Sequence, residues 1–435
     1  MGIPSVGVAG RNIVSYALDY DFKYSNGMPI RYVSVPFPVT GQPRSVHKAY
    51  IAGTDQLSGK SLMTAVIDAL TAPLTDDEQI SDAAGTGQAP AESRFLLPDM
   101  EENLQQLFKD SEWTDYLPVV LPTEERVKKM LTGTSHAPDE VINTVQPGAR
   151  EVTVEKVAIV AVMAGAKPEY MPLLLAIATQ APFGNSTSSM ANTVIVNGPI
   201  RTELKMNSGT NAMGPYNEAN AVIGRFFTLI SKTAGDLRSN VTAWESLGSN
   251  LQYNSLTIAE NEELLPEGWE PLHVQMGFKP EDSVVTIGTG WSYISSLGEV
   301  QPSYPAHTLI ADYMRALSGL GSAATIFVDP TVAGLLKDVN GFATKRDLSK
   351  WLSENVEKTV ASYWGNGVIT TSNMALAFQG LEPYATWSKL PRDSLIKPFN
   401  NPRAINIVVV GGAIQTVWFG TDFRLGRGVK VDDWR

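Results

Sequence analysis

The sequence predicts a mixed α/β protein, with α+β as the alternative: a small α/β piece, then a large α/β domain of mostly inner strands with covering helices. Three observations carry this expectation. Short β-branched runs end in turns at Thr193–Val196 before Asn197-Gly198-Pro199, at Thr325–Val328 before Asp329-Pro330-Thr331, and at Ile405–Val410 before Gly411-Gly412-Ala413. Runs apolar throughout suit strands covered on both faces. Before them lie stretches with helical apolar spacing or unbroken apolarity, such as Val154–Ala164. The 435 residues, 43% hydrophobic and 18% charged, suffice for two or three domains with real cores.

Residues 1–75 form the small piece. Ile3–Val8 and Ile30–Val35 read as strands, and Ser61–Thr71 places Leu62, Val66, Ile67 and Leu70 on one helix face. Residues 76–94, rich in Asp, Ala, Gly, Gln and Pro, read as a linker. The large domain spans 95–435. In it Glu101–Phe108 reads as helix and Leu117–Leu121 as a short strand. Thr123 caps a helix through Leu131, with Glu124 and Glu125 in the first turn, where the helix dipole favours them. Val154–Ala164 is a buried helix ended by Gly165, and Pro168 opens the next, Glu169–Thr179. If the three turn-ended strands are parallel, their carboxyl ends gather at one edge, where open α/β sheets bind ligands.

Charge and composition exclude several classes. The net charge is −11, and the Lys and Arg residues are scattered. Nucleic acid and anionic membranes need clustered cations, so neither is an expected partner. The longest apolar runs fall short of the roughly 18 residues a membrane span needs. Met1-Gly2-Ile3-Pro4 lacks the basic and apolar regions of a signal peptide, so the cytoplasm is the expected location. The chain has no cysteine, so it can supply no disulfide, thiolate nucleophile or Cys-based metal site. Low charge density also suits a surface partly covered by other subunits, so an oligomer is expected.

Gly53-Thr54-Asp55-Gln56-Leu57-Ser58-Gly59-Lys60-Ser61 resembles a phosphate-binding loop, but five residues separate its glycines. The phosphate-cradling geometry needs four, so this reads as a plain loop capped by Ser58 or Ser61. No organic cofactor motif is found, and the cofactor is left unknown. His47, His136, His273 and His307 are far apart, so a metal site would have to assemble from distant segments.

The 29-residue stretch Asn197–Arg225 holds five Asn and four Gly, residues suited to turns and close backbone approach. It is either a binding loop or a structural loop whose amides satisfy backbone groups. The structural reading suits Asn217, which opens a helix through Ile230 carrying Val222, Phe226 and Leu229 on one face. The binding reading takes Asn197, Arg201, Ser208 and Asn211 as contacts for a small polar or carboxylate substrate, since an arginine fork matches a carboxylate. Ser188, in a hydroxyl-rich loop before Asn197, and Asn261 join that set. Glu260 follows the β-rich run Leu256–Ile258, and His273 lies just past Trp269. Both are acid–base candidates, with structural polar pairing the alternative for each. Glu263 and Glu270 read as parts of solvated turns.

A family resemblance emerges from these residues. Leu117-Pro118-Val119-Val120-Leu121-Pro122-Thr123-Glu124-Glu125-Arg126-Val127 is one element, and Thr153–Ala158 with Val162–Tyr170 is a second. Val196-Asn197-Gly198-Pro199-Ile200-Arg201, Asn207-Ser208-Gly209 and Glu260-Asn261-Glu262-Glu263 complete it. Together they resemble the large bacterial proteins associated with the UGSC family, named for a selenocysteine- or cysteine-Gly-Ser-Cys motif in a small α/β domain. Residues 1–75 look like the latter half of such a domain, without the half that bears the thiol. The resemblance implies a separate small thiol- or selenol-bearing subunit. It also implies a heteromeric thiol-dependent enzyme, a lyase or hydrolase acting by addition, elimination or hydrolysis at a carbon–heteroatom bond. Some relatives have Cys where this chain has Ala166. The alternatives are a non-catalytic scaffold for the small subunit, or a small-molecule binding protein.

Overall fold

The computed structural model describes the chain except residues 1–4, 12, 15–16, 19–29, 38, 40–41, 74, 76–98, 146–149, 181–188, 236, 238–242, 244–245 and 298–302. Ser188 and the whole of the expected linker therefore lie outside the described residues. The mixed α/β class is as expected, and several element boundaries shift by a few residues.

In the N-terminal layer, strands β1 (Val6–Gly10) and β2 (Arg31–Val35) pair in parallel, Val8 opposite Val33. The helix Leu62–Thr71 is capped by the Ser61 side chain, which accepts from the Thr64 N–H, and its Leu62 and Ala65 pack with Val33 in a small core. The Gly53–Ser61 loop is organised by the buried Asp55. Its carboxylate accepts from the N–H groups of Ser34 (2.7 Å), Leu57 (3.3 Å) and Ser58 (2.7 Å). The loop amides a phosphate would need are thus spent on the chain's own carboxylate.

The expected strand Leu117–Leu121 is instead an extended segment outside any sheet. The Gln105 side chain takes the place of a neighbouring strand, accepting from the Val119 N–H (3.2 Å) and donating to the Val119 carbonyl (2.7 Å). Thr123 caps Glu124–Leu131 as expected. A hairpin, β3 (Val141–Val145) and β4 (Arg150–Thr153), leads into the buried helix Val154–Ala164, which ends at Gly165 with φ 84°. The next expected helix splits into a tight turn, Pro168–Tyr170, and the helix Met171–Ala178. Pro172 has no N–H to bond the Pro168 carbonyl, so one continuous α-helix cannot form there.

Two larger sheets make the large domain, beside a short antiparallel pair, β10 (Lys358–Thr359) with β11 (Leu395–Ile396). In the first, β5 (Ala191–Asn197) lies between β6 (Thr257–Ala259), parallel to it, and β7 (Val284–Gly290), antiparallel. The far edge of β7 pairs with β14 (Arg424–Leu425) and β15 (Val429–Lys430). In the second the order is β12 (Ile405–Val409), β9 (Ala324–Val328), β13 (Val417–Thr421), β8 (Tyr293–Leu297). Only β12 and β9 run parallel.

Side-chain alternation along the strands sets the layers. Val194 and Val196 of β5 pack under the helices Val154–Ala164, Met171–Ala178 and Glu218–Thr233. Ile195 between them packs with Phe327 and Val408 of the second sheet. Ile326, Val328, Ile407 and Val409 face the helices Ala306–Met314, Pro330–Gly334 and Lys345–Asn355. The order is helices, sheet, sheet, helices. The three turn-ended strands therefore divide between two sheets, β5 in one and β9 with β12 in the other. No helix among the described residues is long and apolar enough to cross a membrane.

Candidate functional site

The carboxyl ends of β5, β6 and β12 meet at a seam between the sheets. The Asn261 N–H donates to the Val409 carbonyl (2.8 Å), and the Val409 N–H donates to Glu260 Oε1 (3.3 Å). Glu260 is fully buried. Its Oε1 also accepts from Lys345 Nζ (2.5 Å), and its Oε2 from Asn197 Nδ2 and the Leu272 N–H, both 2.7 Å. All of these donors belong to the protein itself.

Arg201 lies beside this carboxylate at 5% exposure. Its Nε donates to the Gly198 carbonyl (3.1 Å) and its Nη1 to the Glu260 carbonyl (2.6 Å). Nη1 and Nη2 straddle the Glu263 carboxylate at 3.2 and 3.1 Å, and Nη2 also meets Glu262 Oε2 at 3.0 Å. The Arg201 hydrogen bond holds the Glu263 carboxyl below its ordinary range. The fork expected to take a substrate carboxylate already holds two from its own chain. Glu262 Oε1 accepts from Asn197 Nδ2 (2.9 Å) and the Gly198 N–H (2.8 Å). His273 is fully buried, with Nε2 3.4 Å from the Pro280 carbonyl and Nδ1 3.8 Å from Glu262 Oε1. Among the described residues no group of three or more His, Asp or Glu is placed to hold a metal.

The seam therefore brings together Asn197, Arg201, Glu260, Asn261 and His273, which are scattered in the sequence, in a buried polar knot. Breaking a buried ion pair by removing one partner typically costs about 3–5 kcal/mol. Lys345 is the member the sequence did not reveal. One signal was available: a lysine directly after the Thr344 cap faces the positive end of the helix dipole, which disfavours it without an anionic partner. Glu260 is that partner.

Next to the seam lies an open cleft of about 430 Å³. Its floor is the carboxyl ends of β9 and β12, its side is β13, and its rim is the loop 210–214. Gly411 joins seam and cleft: its N–H donates to the Ser208 carbonyl (2.8 Å) and its carbonyl accepts from Asn261 Nδ2 (2.9 Å). Gly411 sits at φ 99°, and a Cβ on Gly412 would stand 2.3 Å from Thr210 Oγ1. The glycine pair is what lets the rim loop close onto β12.

Asn211 is on this rim, exposed, at φ 65°, with Nδ2 donating to the Pro215 carbonyl (2.7 Å). The other asparagines hold the loop's backbone. Asn217 donates to the Asn211 carbonyl (2.6 Å) and the Gly214 carbonyl (3.0 Å), and Asn220 exchanges bonds with both backbone groups of Asn207 (2.9 and 3.0 Å). At the floor, Asp329 caps Pro330–Gly334, accepting from the Val332 N–H (2.8 Å) and the Val417 N–H (2.6 Å). Burial pushes its carboxyl above the ordinary value, against those hydrogen bonds. Asp329 and Trp418, whose buried indole N–H has no partner among the described residues, were not among the site residues expected. An Asp at the end of an apolar strand and before Pro was the available signal for Asp329.

No family model, curated protein or solved structure matches this chain. The functional reading rests on the two places just described.

Proposed function

We propose that the chain is a ligand-binding subunit that holds a small organic molecule in the cleft at the ends of β9 and β12. The observation that carries this reading is the cleft itself. It is mostly apolar, with few polar groups converging on it, and sits at the carboxyl ends of adjacent parallel strands. The seam supplies rigidity, through Asn261 and Gly411, in place of chemistry. The test is thermal unfolding against a panel of small metabolites, comparing the wild-type chain with Ile414→Trp. Ile414 is 73% exposed at the cleft, so the variant should fold and block it. A ligand that raises the midpoint of the wild type only, by mass action, supports the reading. A panel that stabilises both proteins equally refutes it.

A second reading takes the chain as the large subunit of a thiol-dependent heteromeric enzyme, with the thiol or selenol on a small partner. It is favoured by the N-terminal layer. Among the described residues β1 and β2 have no third strand. Val8, Ile51, Met63 and Ile67 are all at least half exposed there. Two parallel strands alone are a poor unit of stability. Intact-mass analysis of the natively purified complex tests this: a small subunit released by deleting residues 1–75 supports it, and a homo-oligomer refutes it.

A further inference from the structure

We infer that the cleft's ligand is a small organic cation: an ammonium group on an aromatic or branched aliphatic body. This inference rests on the reading of the cleft as the ligand site and specifies its chemistry.

Charge is the first observation. Among the described residues lining the cleft, Asp329 is the one charged side chain; no Lys or Arg reaches it. Arg201, in the adjoining seam, is committed to Glu262 and Glu263. An anionic ligand would meet a carboxylate with no cation among the lining residues to offset it.

Donor count is the second. Asp329, 7% exposed, accepts the Val332 N–H on Oδ1 and the Val417 N–H on Oδ2, and the Thr331 N–H also bonds the carboxylate. A carboxylate offers about four lone-pair sites, so it keeps capacity for a further donor. An ammonium brings up to three donors and a compensating charge.

The walls are the third. Phe419, partly exposed, is the aromatic side chain at the cleft surface, backed by the buried Phe327 with ring centroids 6.1 Å apart, while the buried Trp418 borders the cleft from the helix side of the sheet. Val410, Val417 and Ile414 complete an apolar surface. Aromatic faces attract a cation and take an apolar body equally well.

Burial already biases the Asp329 carboxyl toward its protonated form. Where that carboxyl is protonated, capture of the ammonium releases its proton to solvent; where it is ionised, the carboxylate pairs with the cation directly. Affinity should rise with pH until Asp329 is ionised in the free protein, and then level off while the amine stays protonated.

Calorimetry on the full chain with matched probes tests this: phenethylamine against phenethyl alcohol, isoamylamine against isoamyl alcohol, and 3-phenylpropionate. The expected result is that each amine binds about tenfold or more tightly than its alcohol, as befits a charge-assisted pair, and that the carboxylate does not bind. Asp329→Asn keeps the cap acceptor for the Val332 N–H but turns an NH2 toward the Val417 N–H, so it should abolish the amine preference at some cost in stability, and circular dichroism checks that the fold is kept. Alcohols binding as tightly as amines, or an amine preference that survives in Asp329→Asn, would overturn the cation inference while leaving the cleft as a ligand site. No binding of any probe at millimolar concentration would sink both.

Discussion

Replacing Lys345 by Met tests the seam directly. The side chain keeps its length and loses its charge. Glu260 then retains Asn197 and the Leu272 N–H on Oε2, but on Oε1 only the Val409 N–H at 3.3 Å. Both members of the ion pair have fully buried side chains, so no water is at hand to replace the ammonium. Leaving one charge of a buried pair uncompensated costs about 3–5 kcal/mol, a large share of a typical domain's stability. Glu260→Gln should cost a comparable amount. The double variant should cost less than the sum of the two, by more than about 1 kcal/mol, because the second change removes a charge the first has orphaned. The assay is urea unfolding of the four proteins at pH 7, read as midpoints at a common slope. A Lys345→Met midpoint within about 0.5 kcal/mol of wild type, or strict additivity, would refute the seam as a stabilising ion pair.

Three further outcomes follow from the geometry. Gly412→Ala should displace the loop 210–214, because a Cβ there meets Thr210 Oγ1 at 2.3 Å; cleft ligands should be lost while the circular dichroism spectrum is kept, and unaltered binding would contradict the packing. Asp329 has a folded-state pKa raised by burial, so its favourable contribution is present below its ordinary value of 3.8 and lost as pH rises through the raised one. Asp329→Asn should therefore gain stability relative to wild type as pH climbs from about 3.5 to 7, and a pH-independent difference in unfolding midpoints would count against this. His136 is pushed up mainly by its hydrogen bond to Glu140, with help from the Asp433 carbonyl, and stacks on Trp434. The hold it gives the C-terminal turn is full below its ordinary 6.5 and fades as pH rises through the raised value. Amide exchange at residues 432–434 should quicken across that window, and Glu140→Gln should shift the window down.

Much of the fold was legible because local chemistry decided it. Thr123, Ser61 and Gly165 mark helix ends by mechanisms that need no tertiary context. The helix Val154–Ala164 is buried on nearly every side, as unbroken apolarity requires. The pairing of sheets was not legible. Strands β5, β9 and β12 are covered on both faces, and that pattern is the same for one parallel sheet as for two sheets packed face to face. Leu117–Leu121 failed for a related reason: its central Val119 bonds to the Gln105 side chain instead of a neighbouring strand, which no periodicity reveals. At the site, Asn197 and Arg201 stood out in an Asn/Gly-rich stretch and Glu260 at the end of a β-rich run, and the structure does bring them together. What the sequence could not show is that Asn197 Nδ2, the Arg201 fork and the Glu260 carboxylate are taken up by one another and by their neighbours, while Asn197 Oδ1 is buried with no partner among the described residues. Lys345 is 85 residues from Glu260, and that distance in sequence hid the partner that turns an apparent acid–base group into half of an ion pair.

This arrangement changes how a loss-of-function variant at Glu260 should be read. Glu260 sits one residue from Asn261, whose side chain holds the Gly411 carbonyl, while the Ser208 carbonyl holds the Gly411 N–H. Gly411 in turn borders the cleft next to Asp329. Loosening the seam therefore moves the cleft floor, and Glu260→Gln should weaken ligand binding without Glu260 ever touching the ligand. A group that transfers a proton loses turnover on substitution and keeps binding. A group that positions the floor loses binding in proportion to the stability it gives up. Measuring probe affinity and unfolding midpoint together for Glu260→Gln, Lys345→Met and the double variant separates the two. If affinity tracks stability across all three, the seam positions the site, and the chemistry of the cleft belongs to Asp329.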